Sequence, residues 1–93
     1  MIKILNENQY FSTFDIALAS AITTCGYPLE SLDKNDPTKV NFFFKKAEGL
    51  DKIVQLFWQR KLPLDALSYF QNLKVIKSRI YSTKNTKNQN EQT

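Results

Sequence analysis

The last part of the chain, residues 82–93, contains no apolar side chain, which confines any hydrophobic core to the residues before it. A segment of this composition cannot bury apolar surface, and we expect it to form a disordered polar and basic tail. The preceding residues 1–81 are enough for one domain. They leave no room for a second core, because a chain of this size buries only about 60–65% of its unfolded surface. We therefore predict a single compact domain over residues 1–81.

A β-hairpin is predicted near the middle of the chain. Residues 29–33 and 39–45 flank a run of turn-forming residues, Lys34-Asn35-Asp36-Pro37-Thr38. The second strand has one wholly apolar face, because hydrophobic residues occupy alternate positions: Val40, Phe42 and Phe44. Phe43 lies on the opposite, otherwise polar face, which indicates that this face is also covered, by a neighbour of the N-terminal strand, a later helix or a second subunit.

A short strand and a helix are predicted before the hairpin. Tyr10 and Phe11 are typical of a strand, and a further strand at residues 2–5 paired with it is left open. Ser12 is the expected N-cap and Gly26 the expected stop of a first helix over residues 13–25. We expect this helix to be the most buried of three, with an apolar stripe of Phe14, Leu18, Ala21, Ile22 and Cys25, and with small residues that allow close approach: Ala17, Ala19 and Ser20.

Two more helices are predicted after the hairpin. The second covers residues 49–61, with Leu50, Ile53, Val54, Phe57 and Lys61 on one face. It ends there because Leu62 precedes Pro63, and the third helix begins at Pro63 or Leu64. Its apolar side is formed by Ala66, Tyr69, Phe70, Leu73, Ile76 and Ile80. The order strand, helix, strand, strand, helix, helix predicts a small α+β domain with an antiparallel sheet backed by helices.

The residue content argues against catalysis and against bound metal or cofactor. Histidine is absent, which removes the common nucleophile–base systems and the commonest transition-metal ligand. The single cysteine, Cys25, is expected to pack as a small buried residue, and two glycines cannot form a glycine-rich phosphate loop. Asp33, Asn35 and Asp36 are interpreted as turn residues rather than a calcium loop. We expect a non-enzymatic binding module without cofactor or metal.

No segment is apolar for long enough to cross a membrane, and the N-terminal apolar stretch is too short for a signal peptide. A single cysteine cannot form the intrachain disulfides that small secreted domains usually need. These features predict a cytoplasmic protein that does not associate with membranes.

The net charge of +4 belongs to the C-terminal end, because residues 74–93 hold five basic residues against one acidic residue while residues 1–73 hold eight of each. Such asymmetry favours an anionic partner. The leading hypothesis is nucleic-acid binding, with phosphates contacted by Lys74, Lys77, Arg79, Lys84 and Lys87 and a base stacked on Tyr81. The alternative is an assembly or inhibitor protein, homodimeric or docked on a larger protein through Phe43, Trp58 and the small residues of the first helix.

Several separated blocks carry a family resemblance: Tyr10 to Ala19, Gly26-Tyr27, Asp36-Pro37, Phe42 and Phe44, Trp58, and Leu73 to Tyr81. Together they resemble a small domain-of-unknown-function family of bacteria and their phages, over Tyr10 to Tyr81. The resemblance implies a stand-alone domain without an established activity, often found in phage-like or mobile genetic neighbourhoods. By analogy with other small proteins of mobile elements, it favours binding over catalysis.

Overall fold

The computed structural model describes the backbone of residues 9–92 and the side chains of residues 9–82. The elements in chain order are β1 (Tyr10–Thr13), α1 (Ile16–Thr24), β2 (Ser31–Asp33), β3 (Asn41–Lys45), α2 (Leu50–Trp58) and α3 (Ala66–Gln92). This order confirms the predicted α+β class. The further strand considered at residues 2–5 lies outside the described residues. In the tail expected over residues 82–93, the described backbone continues α3 as far as Gln92, while the side chains after residue 82 lie outside the described ones, and the expected disorder stays a prediction.

The sheet is antiparallel, with strand order β1-β3-β2, and it contains the predicted hairpin. β3 is the central strand, and its Phe42 and Phe44 are buried, as their alternation predicts. Side-chain oxygens hold the intervening turn, because Asp33 accepts the N–H of Asn35 at 2.8 Å and Asp36 accepts the N–H of Thr38 at 2.8 Å. The turn interpretation of these carboxylates is therefore confirmed.

Helix α1 begins later than its sequence predicts. Asp15, not Ser12, is the N-cap, because its Oδ1 accepts the N–H groups of Ala17 at 2.8 Å and Leu18 at 3.2 Å. Ser12 lies inside β1, so its backbone is extended and it cannot cap the helix. The predicted stop is confirmed, since Gly26 takes a positive φ of 104° immediately after the helix.

The core is built around α1, which is the most buried helix, as predicted. Leu18 and Ile22 pack with Phe42 and Phe44 of the sheet, and α1 also packs against α2 and α3. The predicted apolar stripe is wrong for Phe14, which precedes the helix and is 53% exposed, and Cys25 follows the helix and is only half-buried. The Phe14 ring lies 4.4 Å from the Lys39 ammonium rather than in the core.

Helices α2 and α3 are both shorter at the 58–66 connection than predicted. α2 ends at Trp58 rather than at Lys61, because Arg60 adopts a left-handed φ of 63°. α3 begins at Ala66 rather than at Pro63 or Leu64, because Asp65 accepts the N–H of Ser68 at 2.9 Å in the manner of an N-cap. The intervening residues form a turn and an irregular connection between the two helices.

Helix α3 packs on α1 through one side. Ile76 is 2% exposed, and Leu73, Ile80 and Tyr69 are half-buried. The prediction is wrong for Phe70 and Ala66, which are exposed, because the contact with α1 covers a narrower arc of the helix than the apolar pattern does. Polar contacts complete the packing, including one from Asn72 Nδ2 to Thr24 Oγ1 at 3.0 Å.

Candidate functional site

One exposed flank of α3 brings together four of its residues. At about 100° per residue, Phe70, Lys74, Lys77 and Tyr81 fall within an arc of roughly 60°, and all four are exposed. The Lys74 ammonium lies 5.2 Å from the centre of the Phe70 ring. We call these four residues the α3 flank, in which two lysines lie between two aromatic rings.

The structure does not bring all of the predicted nucleic-acid residues together. Lys74, Lys77 and Tyr81 share the α3 flank, whereas Arg79 lines a shallow depression on the other side of the helix with Val75, Ser78 and Ser82. The remaining two residues, Lys84 and Lys87, lie outside the described side chains. The described part of the predicted site is therefore two lysines and a tyrosine, joined by Phe70, which the sequence pattern assigns to the core.

An apolar groove lies where α2 meets the start of α3. Its volume is about 590 Å³, and its lining is Phe57, Trp58, Arg60, Leu62, Leu64, Ala66 and Tyr69. Trp58 is 59% exposed and meets the Phe57 ring edge-on, with centroids 4.9 Å apart. Trp58 is therefore a solvent-facing ring at the border of a concave apolar surface, which suits a binding surface.

Local sequence builds this groove from the connection between the two helices. The N–H of Arg60 donates to Phe57 O at 3.0 Å and the N–H of Lys61 to Leu56 O at 2.9 Å, a Schellman pairing that normally places glycine where Arg60 stands. The chain then continues without helix as far as Asp65, in keeping with the helix-disfavouring effect of Pro63 on the residue before it. Helical periodicity does not predict this groove, and the one signal for it in the sequence is a pair of apolar residues in a short linker, Leu62 and Leu64.

Phe43 lies on the outer face of the sheet, opposite the buried Phe42 and Phe44. Its cross-strand partners are Ser12 and Ser31, and its side chain is half-buried. The Phe43 ring is therefore partly covered rather than fully exposed. The involvement of Phe43 in an interface stays a prediction.

The small residues of α1 do not form a docking surface. Ala19 and Ser20 have no exposed area, Ala17 is half-buried, and α3 packs against this helix. The Tyr69 hydroxyl donates to Ala17 O at 3.4 Å across the contact. The close approach that these small residues allow is therefore made by α3 of the same chain. The docking alternative is wrong in using the small residues of α1 as a surface for another protein.

The cysteine thiol and two of the carboxylates have shifted pKa values, and burial or local hydrogen bonds explain each shift. Burial raises the pKa of the half-buried Cys25 thiol, which leaves less thiolate at neutral pH. Hydrogen bonds from Thr38 lower the pKa of Asp36, and hydrogen bonds from Ser68 lower the pKa of Asp65.

Within the described residues, no three His, Cys, Asp or Glu side chains are grouped so that they could hold a metal ion. In the same residues, no helix has the length and apolarity needed to cross a bilayer.

Comparison with known proteins identifies a family for most of this chain. Searches of curated proteins and of solved structures found no significant match. The family model for a domain of unknown function, DUF5659, matches residues 8–82, which include β1, β2, β3, α1, α2 and the described side chains of α3. The predicted resemblance to a domain-of-unknown-function family is therefore confirmed, and this chain belongs to the DUF5659 family.

Proposed function

We propose that this protein is a non-enzymatic nucleic-acid-binding module that contacts phosphates through the α3 flank. The observation that carries the proposal is the exposed grouping of Lys74 and Lys77 with the rings of Phe70 and Tyr81. Cations supply sequence-independent attraction to phosphates, and exposed rings supply stacking surfaces for bases. A cytoplasmic protein derived from a phage or a mobile element would fit this role.

The charge of α3 supports an anionic partner. Residues 66–82 contain three cations, Lys74, Lys77 and Arg79, and no Asp or Glu. Asp65, immediately before this stretch, directs its Oδ2 to the N–H of Ser68 at the helix start. No acidic residue of this stretch therefore offsets the positive charge of the α3 flank, and Arg79 adds to the local potential from the opposite side.

The second candidate is a protein-binding role, either as a homodimer or on a larger protein. It is favoured by the exposed Trp58 beside the apolar groove, because tryptophan is enriched among residues that dominate protein interfaces. In this alternative the lysines would only steer the encounter between the proteins.

The proposal is tested by fluorescence anisotropy of labelled single- and double-stranded DNA and RNA over a range of salt concentrations. We expect the double variant Lys74→Ala/Lys77→Ala to bind all sequences more weakly. The slope of log K against log salt should become shallower by about 0.7 per lost contact for single strands and about 0.9 for duplexes.

Arg79→Ala is the matched control, because it removes an exposed cation of the same helix from the opposite side. It should weaken binding less than either Lys74→Ala or Lys77→Ala. Unchanged affinity in the double variant, or no binding by the full chain to any of the four nucleic acids, would refute the proposal. Light scattering of the same samples reports whether the homodimer of the second candidate forms.

A further inference from the structure

The groove between α2 and α3 opens beside the α3 flank. Ala66 lines the groove and lies one helical turn before Phe70, so the groove wall continues into the flank. From Ala66 to Tyr81 the helix rises about 22 Å. Trp58 therefore lies in the groove, and Phe70 and Tyr81 lie on the flank that begins one helical turn beyond the groove residue Ala66.

Cations accompany the rings along this surface. Arg60 lines the groove next to Trp58, and Lys74 and Lys77 lie between Phe70 and Tyr81. This alternation of ring and positive charge complements a strand of unpaired nucleotides, whose bases stack and whose phosphates are negative. A paired duplex offers its phosphates but keeps its bases stacked on one another, so exposed rings would gain little from it.

The conformation of Arg60 adds an independent observation. Arg60 is the single described non-glycine residue with positive φ, at a helix end where glycine is the usual residue. Such strained residues cluster at functional sites. The strain places a guanidinium, which pairs with phosphate and stacks on bases, at the border of an apolar groove.

We infer that the ligand is single-stranded nucleic acid, with one base held in the groove against Trp58 and its phosphate contacted by Arg60. The strand continues over Phe70, Lys74, Lys77 and Tyr81. This inference rests on the proposed function and makes it specific for unpaired strands.

Trp58 gives a direct readout, because it is the one tryptophan of the chain. The full chain is titrated with oligothymidylate and oligouridylate of about 12 nucleotides, within the site sizes of roughly 4–16 nucleotides known for small single-strand-binding domains. A mixed-sequence DNA duplex of the same length is titrated in parallel. We expect a saturable quench of Trp58 fluorescence by at least one single strand, with weaker binding and little quench by the duplex.

Two variants test the groove itself by anisotropy. Trp58→Ala should weaken single-strand binding about five-fold to a hundred-fold, the range for loss of one stacked base, and Trp58→Phe should recover part of it. Arg60→Gly should also weaken binding even though it relieves the backbone and raises the unfolding midpoint, which separates a loss of contact from a loss of fold. Val75→Ala is the control, an exposed apolar residue on the other side of α3.

The outcomes separate this inference from the proposed function. Binding of single strand and duplex with equal affinity, without a Trp58 quench and without an effect of Trp58→Ala, would overturn the inference and leave the proposed function standing. No binding of any strand would overturn both. A groove that takes a protein segment instead would give this second result.

Discussion

Two glycines of this chain hold positive φ, and their surroundings differ. A Cβ at Gly49 would lie 2.8 Å from the Tyr27 hydroxyl oxygen, whereas a Cβ at Gly26 would meet nothing within 4 Å. The same Tyr27 hydroxyl donates to Glu48 O at 2.7 Å, which fixes the chain at the start of α2. Gly49 thus serves both the backbone conformation and a close contact.

We predict that Gly49→Ala destabilises the fold more than Gly26→Ala does. Both substitutions strain a positive φ, at a cost of about 1–2 kcal/mol. Gly49→Ala should cost about 1 kcal/mol more, because the added methyl group displaces the Tyr27 hydroxyl from its hydrogen bond. Urea unfolding of the two variants measures the difference, and equal losses would contradict the predicted contact.

At the scale of elements, the start of α1 is decided by a competition between two residues that can both cap a helix. Ser12 and Asp15 are each suitable N-caps by residue type. β1 extends through Thr13 and takes Ser12 into the sheet, where it pairs with Phe43. The strand therefore leaves the capping position to Asp15.

Asp15→Ala should lower the free energy of unfolding by about 1 kcal/mol, because the N–H groups of Ala17 and Leu18 lose their acceptor. Ser12→Ala is the control and should change it by no more than about 0.5 kcal/mol. Thermal and urea unfolding measure both variants. A larger loss for Ser12→Ala would show that the helix begins where the sequence pattern places it.

At the scale of the whole molecule, one side of α3 packs into the core and its outer side is exposed to solvent. Ile76 joins the core cluster with residues of α1, α2 and β3, and adjacent Val75 is 56% exposed. The Lys34 ammonium donates to Ile80 O at 2.9 Å, which ties the hairpin turn to the same helix. The α3 flank is therefore the exposed side of a helix whose opposite side packs against the rest of the fold.

Substitutions of two neighbouring residues test this docking. Ile76→Ala should destabilise the protein by about 2–5 kcal/mol, the usual cost of truncating a large buried side chain. Val75→Ala should change stability by no more than about 0.5 kcal/mol. Similar small effects at both positions, measured by urea unfolding, would contradict the packing of α3 on α1.

The candidate site was predicted in part. Lys74, Lys77 and Tyr81 were identified from charge and helical spacing, which are local properties of the sequence. Phe70 was assigned to the core, and the groove with Arg60 was missed. Both depend on where α1 and α2 lie against α3, and periodicity within one helix carries no information about its neighbours.

The sequence alone determined the fold class, the order of the six elements in the described part of the chain, the hairpin and its turn, because periods of 2 and 3.6 residues and turn-forming residues act locally. Tertiary structure decided the rest. The tertiary structure determines where each helix ends, because a residue that could cap a helix can instead belong to a strand, as Ser12 does. It also determines which apolar residues are exposed. Exposure is decided by the partners an element finds, and that is why Phe14, Trp58 and Phe70 face solvent here while Ala19 and Ser20 are buried.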